Sequence, residues 1–123
     1  MNHIELFAGC GGLSLGLESE GFDLLLANEL SPMAAETFAY NHLGIDLESE
    51  WNPETDNVYW LSSHFPRDEI HKRLKENPLE SSGGGEDKFN DVQALDFNDD
   101  LRRSLLVGSI LDLNQLIERS DAL

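Results

Sequence analysis

Only one cysteine, Cys10, stands among the 123 residues. That excludes an intramolecular disulfide framework and a cysteine-rich zinc centre, and it fits a reducing, cytoplasmic setting. Basic residues are scarce: eight Lys and Arg face 24 Asp and Glu, for a formal net charge of −16. Residues 1–66 contain no Lys or Arg at all, and every basic residue lies from Arg67 onward. Gripping a phosphate backbone needs clustered cations, so a nucleic-acid contact would have to come mostly from elsewhere. Long apolar runs are missing too. The longest, Leu24–Ala27, is far too short to span a bilayer, and the N-terminus has no basic n-region of a signal peptide. No membrane partner is expected. The four histidines, at 3, 42, 64 and 71, show no metal-ligand spacing, so no metal is expected either.

What remains is a chain of one domain at most, organised in three blocks. Residues 1–44 read as β-α-β-α. His3-Ile4-Glu5-Leu6-Phe7 is a short strand, Leu13 and Leu17 form a helical stripe closed by Gly21, and Leu24-Leu25-Leu26-Ala27 is a strand buried on both faces. Ser31-Pro32 starts a second helix that runs to about Asn41 with Ala35, Phe38 and Ala39 on one face. Residues 45–103 form an acidic block with prolines at 53, 66 and 78 and the linker-like run Ser81-Ser82-Gly83-Gly84-Gly85. It reads as a partly flexible insertion on the core. A short charged helix over 67–76 would turn Ile70 and Leu74 inward, and Trp51, Tyr59, Trp60 and Phe65 fit a local apolar cluster better than a base-stacking platform. The run from Asp96 to Arg103 reads as a solvated surface. Residues 104–123 return to core-like sequence: Leu105-Leu106-Val107 is a strand closed by Gly108, and Asp112 with Gln115 has the spacing of a capping box before Leu113, Leu116 and Ile117. The alternation predicts an α/β fold with a parallel sheet.

The sharpest feature is Phe7-Ala8-Gly9-Cys10-Gly11-Gly12-Leu13, set between a strand and a helix. Glycines there let backbone approach a ligand, and the free amides that open the helix attract an anionic group. Glu29 ends the second strand, 17 residues after Gly12. An acid at that place in nucleotide-binding α/β folds takes ribose hydroxyls and disfavours a 2′-phosphate. Together these features point to an adenosine-containing ligand, without separating S-adenosylmethionine from NAD. The dinucleotide pattern G-x-G-x-x-G is not met, because position 14 is Ser.

Ile4 to Glu18 followed by Gly21-Phe22 resembles the first motif of DNA cytosine-5 methyltransferases. Ala27-Asn28-Glu29 with Ala34, Thr37 and Asn41-His42 is similar to the second, and Gly108-Ser109-Ile110 to the third. The resemblance covers roughly half of the chain and none of the insertion. It implies a partial Rossmann-like, S-adenosylmethionine-dependent methyltransferase fold, a parallel sheet with later strands missing. It also implies S-adenosylmethionine as cofactor. Phe7 would pack near its adenosyl part, and the turn Ala8, Gly9, Cys10, Gly11, Gly12 and Leu13 would cradle its methionine part. Glu29 would hold the ribose, and Leu30 and Ile110 would wall the adenine. Ser109 replaces the family's usual Asp at the adenine amino group, which predicts weaker recognition of the base.

The family's Pro-Cys nucleophile is absent: none of Pro32, Pro53, Pro66 and Pro78 precedes a cysteine, and Cys10 belongs to the glycine turn. No catalytic residue is therefore assigned, and the chain alone is expected to be inactive. DNA would be reached only through a C-terminal part outside these residues, whose strands would neighbour the first one. An open strand edge is thus expected, with self-association or completion by a second methyltransferase chain. Two rivals belong to other classes: a non-catalytic adenosyl-binding or assembly module, and a fragment of an NAD-dependent oxidoreductase.

Overall fold

The computed structural model describes residues 1–52, 55–81, 83, 87–92 and 102–119. Their centre is a four-stranded sheet of β1 (Asn2–Leu6), β2 (Asp23–Glu29), β3 (Val58–Trp60) and β4 (Ser104–Val107) in the order β1-β2-β4-β3. Every pairing is parallel. This is the parallel α/β sheet expected from the alternation of elements. The segment read as an insertion supplies one of its strands: β3 pairs with β4 from Val58 opposite Leu105 to Trp60 opposite Val107.

Helices α1 (Gly12–Ser19), α2 (Pro32–Phe38) and α3 (Ile70–Leu74) accompany the sheet, with a single π-helical turn over Ala39–Leu43, a short α4 (Pro78–Ser81) and α5 (Ile110–Arg119). Their ends follow local chemistry. Ser31 accepts from the Ala34 amide and precedes Pro32 at the first helical position, as the Ser-Pro pair predicts. Gly21 adopts φ 87° after α1, where the Gly21 amide donates to Glu18 and the Phe22 amide to Leu17. That is a Schellman ending, open to a glycine because the position is left-handed. Asp112 and Gln115 do not begin α5. The helix starts one turn earlier, and the Ser109 hydroxyl caps it by accepting from the Leu111 amide at 3.0 Å. Both 109 and 112 carry cap-forming side chains, and the sequence pattern picked the second.

The sheet divides two apolar clusters. Leu24, Ala27, Phe38, Val58, Trp60, Leu105 and Val107 pack on one face with α2 and α3, while Leu26, Leu106, Leu113 and Leu116 pack on the other with α5. Leu24 and Leu26 fall on opposite faces because the register shifts between His3 and Ile4, which pair with Leu24 and Leu26 and leave Leu25 as an extra residue. Such a bulge inverts the side-chain alternation downstream of it. Within the described residues β1 has a neighbour on one side only, and Ile4, Leu6 and Phe7 along it are about half exposed or more, up to 72% for Phe7. No strand among the described residues covers that edge.

Two polar networks hold the elements in place. In the insertion, the fully buried Arg73 guanidinium donates to both Asp91 oxygens at 2.7 and 3.2 Å and to the Phe65 carbonyl at 2.8 Å, and it lies 5.3 Å from the Trp60 ring centre. Asp91 in turn accepts from the Trp60 amide at 2.8 Å, and its own amide donates to the Trp60 carbonyl. A charge pair therefore closes the free edge of β3. Trp51 packs 5.8 Å from Trp60 in the cluster on one face of the sheet and Tyr59 in the cluster on the other, so these aromatics join the main core in place of the separate local cluster expected; Phe65 lies under Lys72. Ser82, Gly84 and Gly85 of the glycine-rich run, and most of the Asp96–Arg103 run, lie outside the described residues.

The second network lies beneath the glycine turn. Glu5 is 4% exposed and accepts from the Ser14 hydroxyl of α1; His3 Nε2 stands 3.4 Å from the same hydroxyl. His42, stacked on Phe38 at 4.6 Å, is 3.8 Å from Glu18, which also pairs with Arg103 at 3.1 Å. Arg103 further donates to the His42 carbonyl, which ties the π-helical turn to the start of β4. Burial pushes the Glu5 carboxyl above its ordinary value of 4.5, opposed by the nearby His3 and His42 and by the Ser14 bond.

Arg73→Ala leaves Asp91 in the interior with only the half-exposed Arg67 beside it, and is expected to cost roughly 3–5 kcal/mol in a urea titration; a loss under about 0.5 kcal/mol would show the pair to be inert. For Glu5 the folded state holds its proton more tightly than the unfolded chain. Its contribution is neutral below the unfolded value and turns unfavourable as pH rises through and above 4.5. The stability of Glu5→Gln minus that of the native chain should therefore rise with pH across that window, and a flat difference would contradict the burial argument.

Candidate functional site

Strands β1, β2 and β4 end side by side. Leu6 is opposite Asn28 and Glu29 opposite Val107, the Ala8 amide donates to the Asn28 carbonyl at 2.9 Å, and the Gly108 amide donates to the Glu29 carbonyl at 2.9 Å. The buried Asn28 side chain continues this stitching by donating to the Leu106 and Gly108 carbonyls. Three connections therefore open on one edge: residues 7–11 after β1, 30–31 after β2 and 108–109 after β4. The carboxyl edge of a parallel sheet is where α/β folds bind ligands.

The first connection is strained and open. Phe7 takes φ 57° and is 72% exposed, although a bulky residue in that region costs about 1–3 kcal/mol. Gly9 and Gly11 also have positive φ. A Cβ at Gly9 would meet nothing within 4 Å, whereas one at Gly11 would fall 2.1 Å from His42 Nε2. Gly9 therefore faces free space and Gly11 sits flush on the supporting network. Ala8 is buried beneath the turn, Cys10 is exposed with a free thiol, and Gly12 and Leu13 are exposed at the start of α1. No side chain caps that helix. The Gly11 amide donates to the Ala8 carbonyl, while the amides of Cys10, Gly12 and Leu13 make no hydrogen bond among the described residues.

Glu29 reaches across from β2 to this turn. One carboxylate oxygen accepts from the Gly9 amide at 2.6 Å and the other from the Ser31 amide at 3.0 Å. One amide of the turn is thus already engaged, by the residue expected to share the site. A carboxylate offers about four acceptor positions, so two remain for a ligand. Leu30 and Ile110 are half-buried; Leu30 lines a crevice with Gly108, and Ile110 packs against the cluster under α5. Ser109 is at the expected place, but its hydroxyl already accepts from Leu111. The sequence-derived residues therefore converge, with Phe7 to Leu13, Glu29 to Leu30, and Ser109 to Ile110 along one edge.

The sequence missed what the insertion adds there. A narrow crevice beside Leu30, Pro32 and Gly108 is also bordered by Trp60, Ser62 and Asp112. Ser62 donates to the Gly83 carbonyl at 3.0 Å, and the Gly83 amide donates to Asp112 at 3.1 Å, so the insertion is tied directly to α5. Only the Ser109-to-Asp112 spacing, one helical turn, could have signalled any of this. Among the described residues no group of His, Cys, Asp and Glu is placed to hold a metal ion, and no helix is long and apolar enough to cross a membrane.

Comparison with known proteins reaches the same part of the chain. Type II methyltransferase M.DdeI of Desulfomicrobium norvegicum is 40% identical over 50 residues, 41% of this chain and 12% of that protein. Type II methyltransferase M.NgoPII of Neisseria gonorrhoeae is 50% identical over 42 residues, 34% of this chain and 12% of that protein. Type II methyltransferase M.FnuDI of Fusobacterium nucleatum is 45% identical over 65 residues, 47% of this chain and 19% of that protein. The matched stretches thus span less than a fifth of the length of these relatives. No solved structure matches the chain significantly. Residues 1–70, more than half of the chain and including both the glycine turn and Glu29, match the family described as C-5 cytosine-specific DNA methylase, and the chain belongs to that family.

Proposed function

We propose that this chain binds S-adenosylmethionine as the cofactor-holding part of a DNA cytosine-5 methyltransferase. The observation that carries the reading is the Glu29–Gly9 hydrogen bond: the acid of β2 and the glycine turn of β1 meet at one point. A ribose placed there finds the two unused acceptor positions of Glu29. The amides of Cys10, Gly12 and Leu13 would receive the methionine carboxylate at the uncapped start of α1. The open space at Gly9 admits the ligand chain, the exposed Phe7 ring covers the adenosyl part, and Leu30 and Ile110 flank the base. When bound, the cofactor supplies an electrophilic methyl group on a sulfonium. The work of these residues is to fix its position, which is how a binding surface lowers the barrier of a transfer.

The acceptor in this reading is carbon 5 of a cytosine turned out of DNA. Activation of that carbon requires thiolate attack at C6, and residues 1–123 contain no Pro-Cys pair to perform it. The nucleophile and the DNA-reading surface then belong to a polypeptide part outside these residues, and this chain by itself transfers no methyl group. The uncovered apolar side chains of β1 fit the same division, because an open strand edge is completed by a further strand from a second methyltransferase chain or another copy. A reducing cytoplasm suits the free, exposed Cys10.

Calorimetric titration with S-adenosylhomocysteine and with NAD tests the assignment. Binding of the first in preference to the second is expected, and the reverse order would overturn it. Glu29→Ala should weaken S-adenosylhomocysteine by about 1–3 kcal/mol, and an unchanged affinity would remove Glu29 from the site. Incubated with DNA and labelled S-adenosylmethionine, the chain alone is expected to leave the DNA unlabelled; labelled cytosine would refute the division of labour.

A further inference from the structure

The order of the sheet sets the order of a bound ligand. With the methionine part over β1 and the ribose at Glu29 on β2, the next strand across is β4, so the base falls over the exit of β4 at Gly108 and Ser109. Ser109 is poorly provided to recognise an amine there, since its hydroxyl already accepts the Leu111 amide as helix cap. One helical turn further, Asp112 borders the crevice that Leu30, Pro32 and Gly108 line. Its Oδ2 accepts from the Gly83 amide at 3.1 Å, which restrains the carboxylate, and among the described residues Oδ1 has no partner and no cation pairs with the group. The enclosed space is about 10 Å³. That is close to the room one water needs, so it admits a single small polar group and not a ring. Trp60 borders the same crevice, and its buried indole N–H finds no acceptor among the described residues.

We propose that Asp112, held in place by the insertion through Gly83 and Ser62, is the residue that recognises the exocyclic amine of the adenine. This rests on the cofactor reading above. A carboxylate accepts from an amine and repels a carbonyl oxygen, so it separates a 6-amino purine from a 6-oxo purine at the one atom that enters the crevice. The insertion then acts in specificity as well as in completing the sheet, because its Gly83 fixes the carboxylate that does the reading.

The test titrates the full chain with S-adenosylhomocysteine and with S-inosylhomocysteine, which carry a 6-amino and a 6-oxo group and differ otherwise only in the proton on N1. The native chain should favour the adenosyl ligand roughly ten- to a hundredfold. In Asp112→Asn the carboxamide oxygen still accepts from Gly83, while its NH2 now donates to a 6-oxo group. The preference should disappear or reverse, with inosyl binding strengthened. A structural role alone would weaken both ligands equally and keep their ratio, and that result overturns the proposal, as does a native chain that binds both alike. Ser109→Ala should leave the ratio within about twofold; loss of discrimination in that variant instead would return the role to Ser109. If the native chain binds neither ligand, the cofactor reading falls with the proposal. Tight, Glu29-dependent binding with an unaltered ratio in Asp112→Asn removes the proposal alone.

Discussion

Everything at the carboxyl edge of the sheet depends on one short contact, the Glu29 carboxylate on the amide of Gly9 at 2.6 Å. A charge-assisted bond of this kind is about twice as strong as a neutral one, and here it spans two strands. It spends one amide of the glycine turn to fix the position of the others. The second oxygen of Glu29 does the same for the Ser31 amide, so the acid sets both the turn after β1 and the beginning of α2. A preformed hollow loses less ordering entropy on binding than a loose one, so a carboxylate that organises the free protein also prepares it for a ligand.

That contact would not hold if the turn could relax. Phe7 at φ 57° is under strain, and Gly11 admits no Cβ because His42 lies against it. Beneath them, Glu5 and Ser14 join β1 to α1, and Arg103 with Glu18 joins α1 to the approach to β4. Glu5 stays buried at the cost of a raised pKa, which marks it as a scaffold acid. Glu29, at the rim, keeps acceptor capacity facing outward. Two carboxylates on one face of the sheet thus hold different positions, one closed into the protein and one half-exposed at its edge.

The sequence was most legible where a backbone conformation demands a residue type. Glycines at 9, 11 and 21 occupy left-handed positions, Ser31-Pro32 starts a helix, and Glu29 ends a strand in register with the turn. It was least legible where stability is non-local. Val58-Tyr59-Trp60 is too short and too embedded in acids to announce a strand, and its edge is closed by Asp91, 31 residues away, which Arg73 neutralises. Three consecutive leucines gave no parity from which to read the bulge at Leu25. Ser109 and Asp112 have equal capping chemistry, and only the three-dimensional start of α5 separates them. The carboxyl edge was therefore readable in its glycines and in Glu29, and unreadable in the wall that the insertion builds.

The charge distribution fits the proposed cofactor reading. A net charge of −16, with no Lys or Arg before Arg67, gives the chain a negative field overall. Such a field repels a phosphate backbone and attracts a cation, and the cofactor in the proposed reading bears its reacting methyl on a cationic sulfonium. The methionine carboxylate would be repelled by the same field, which is why the local dipoles at the start of α1 are needed: amides of an uncapped helix offset at short range what the acids oppose at long range. In that reading, acidity and the uncapped start of α1 serve two ends of one zwitterionic ligand.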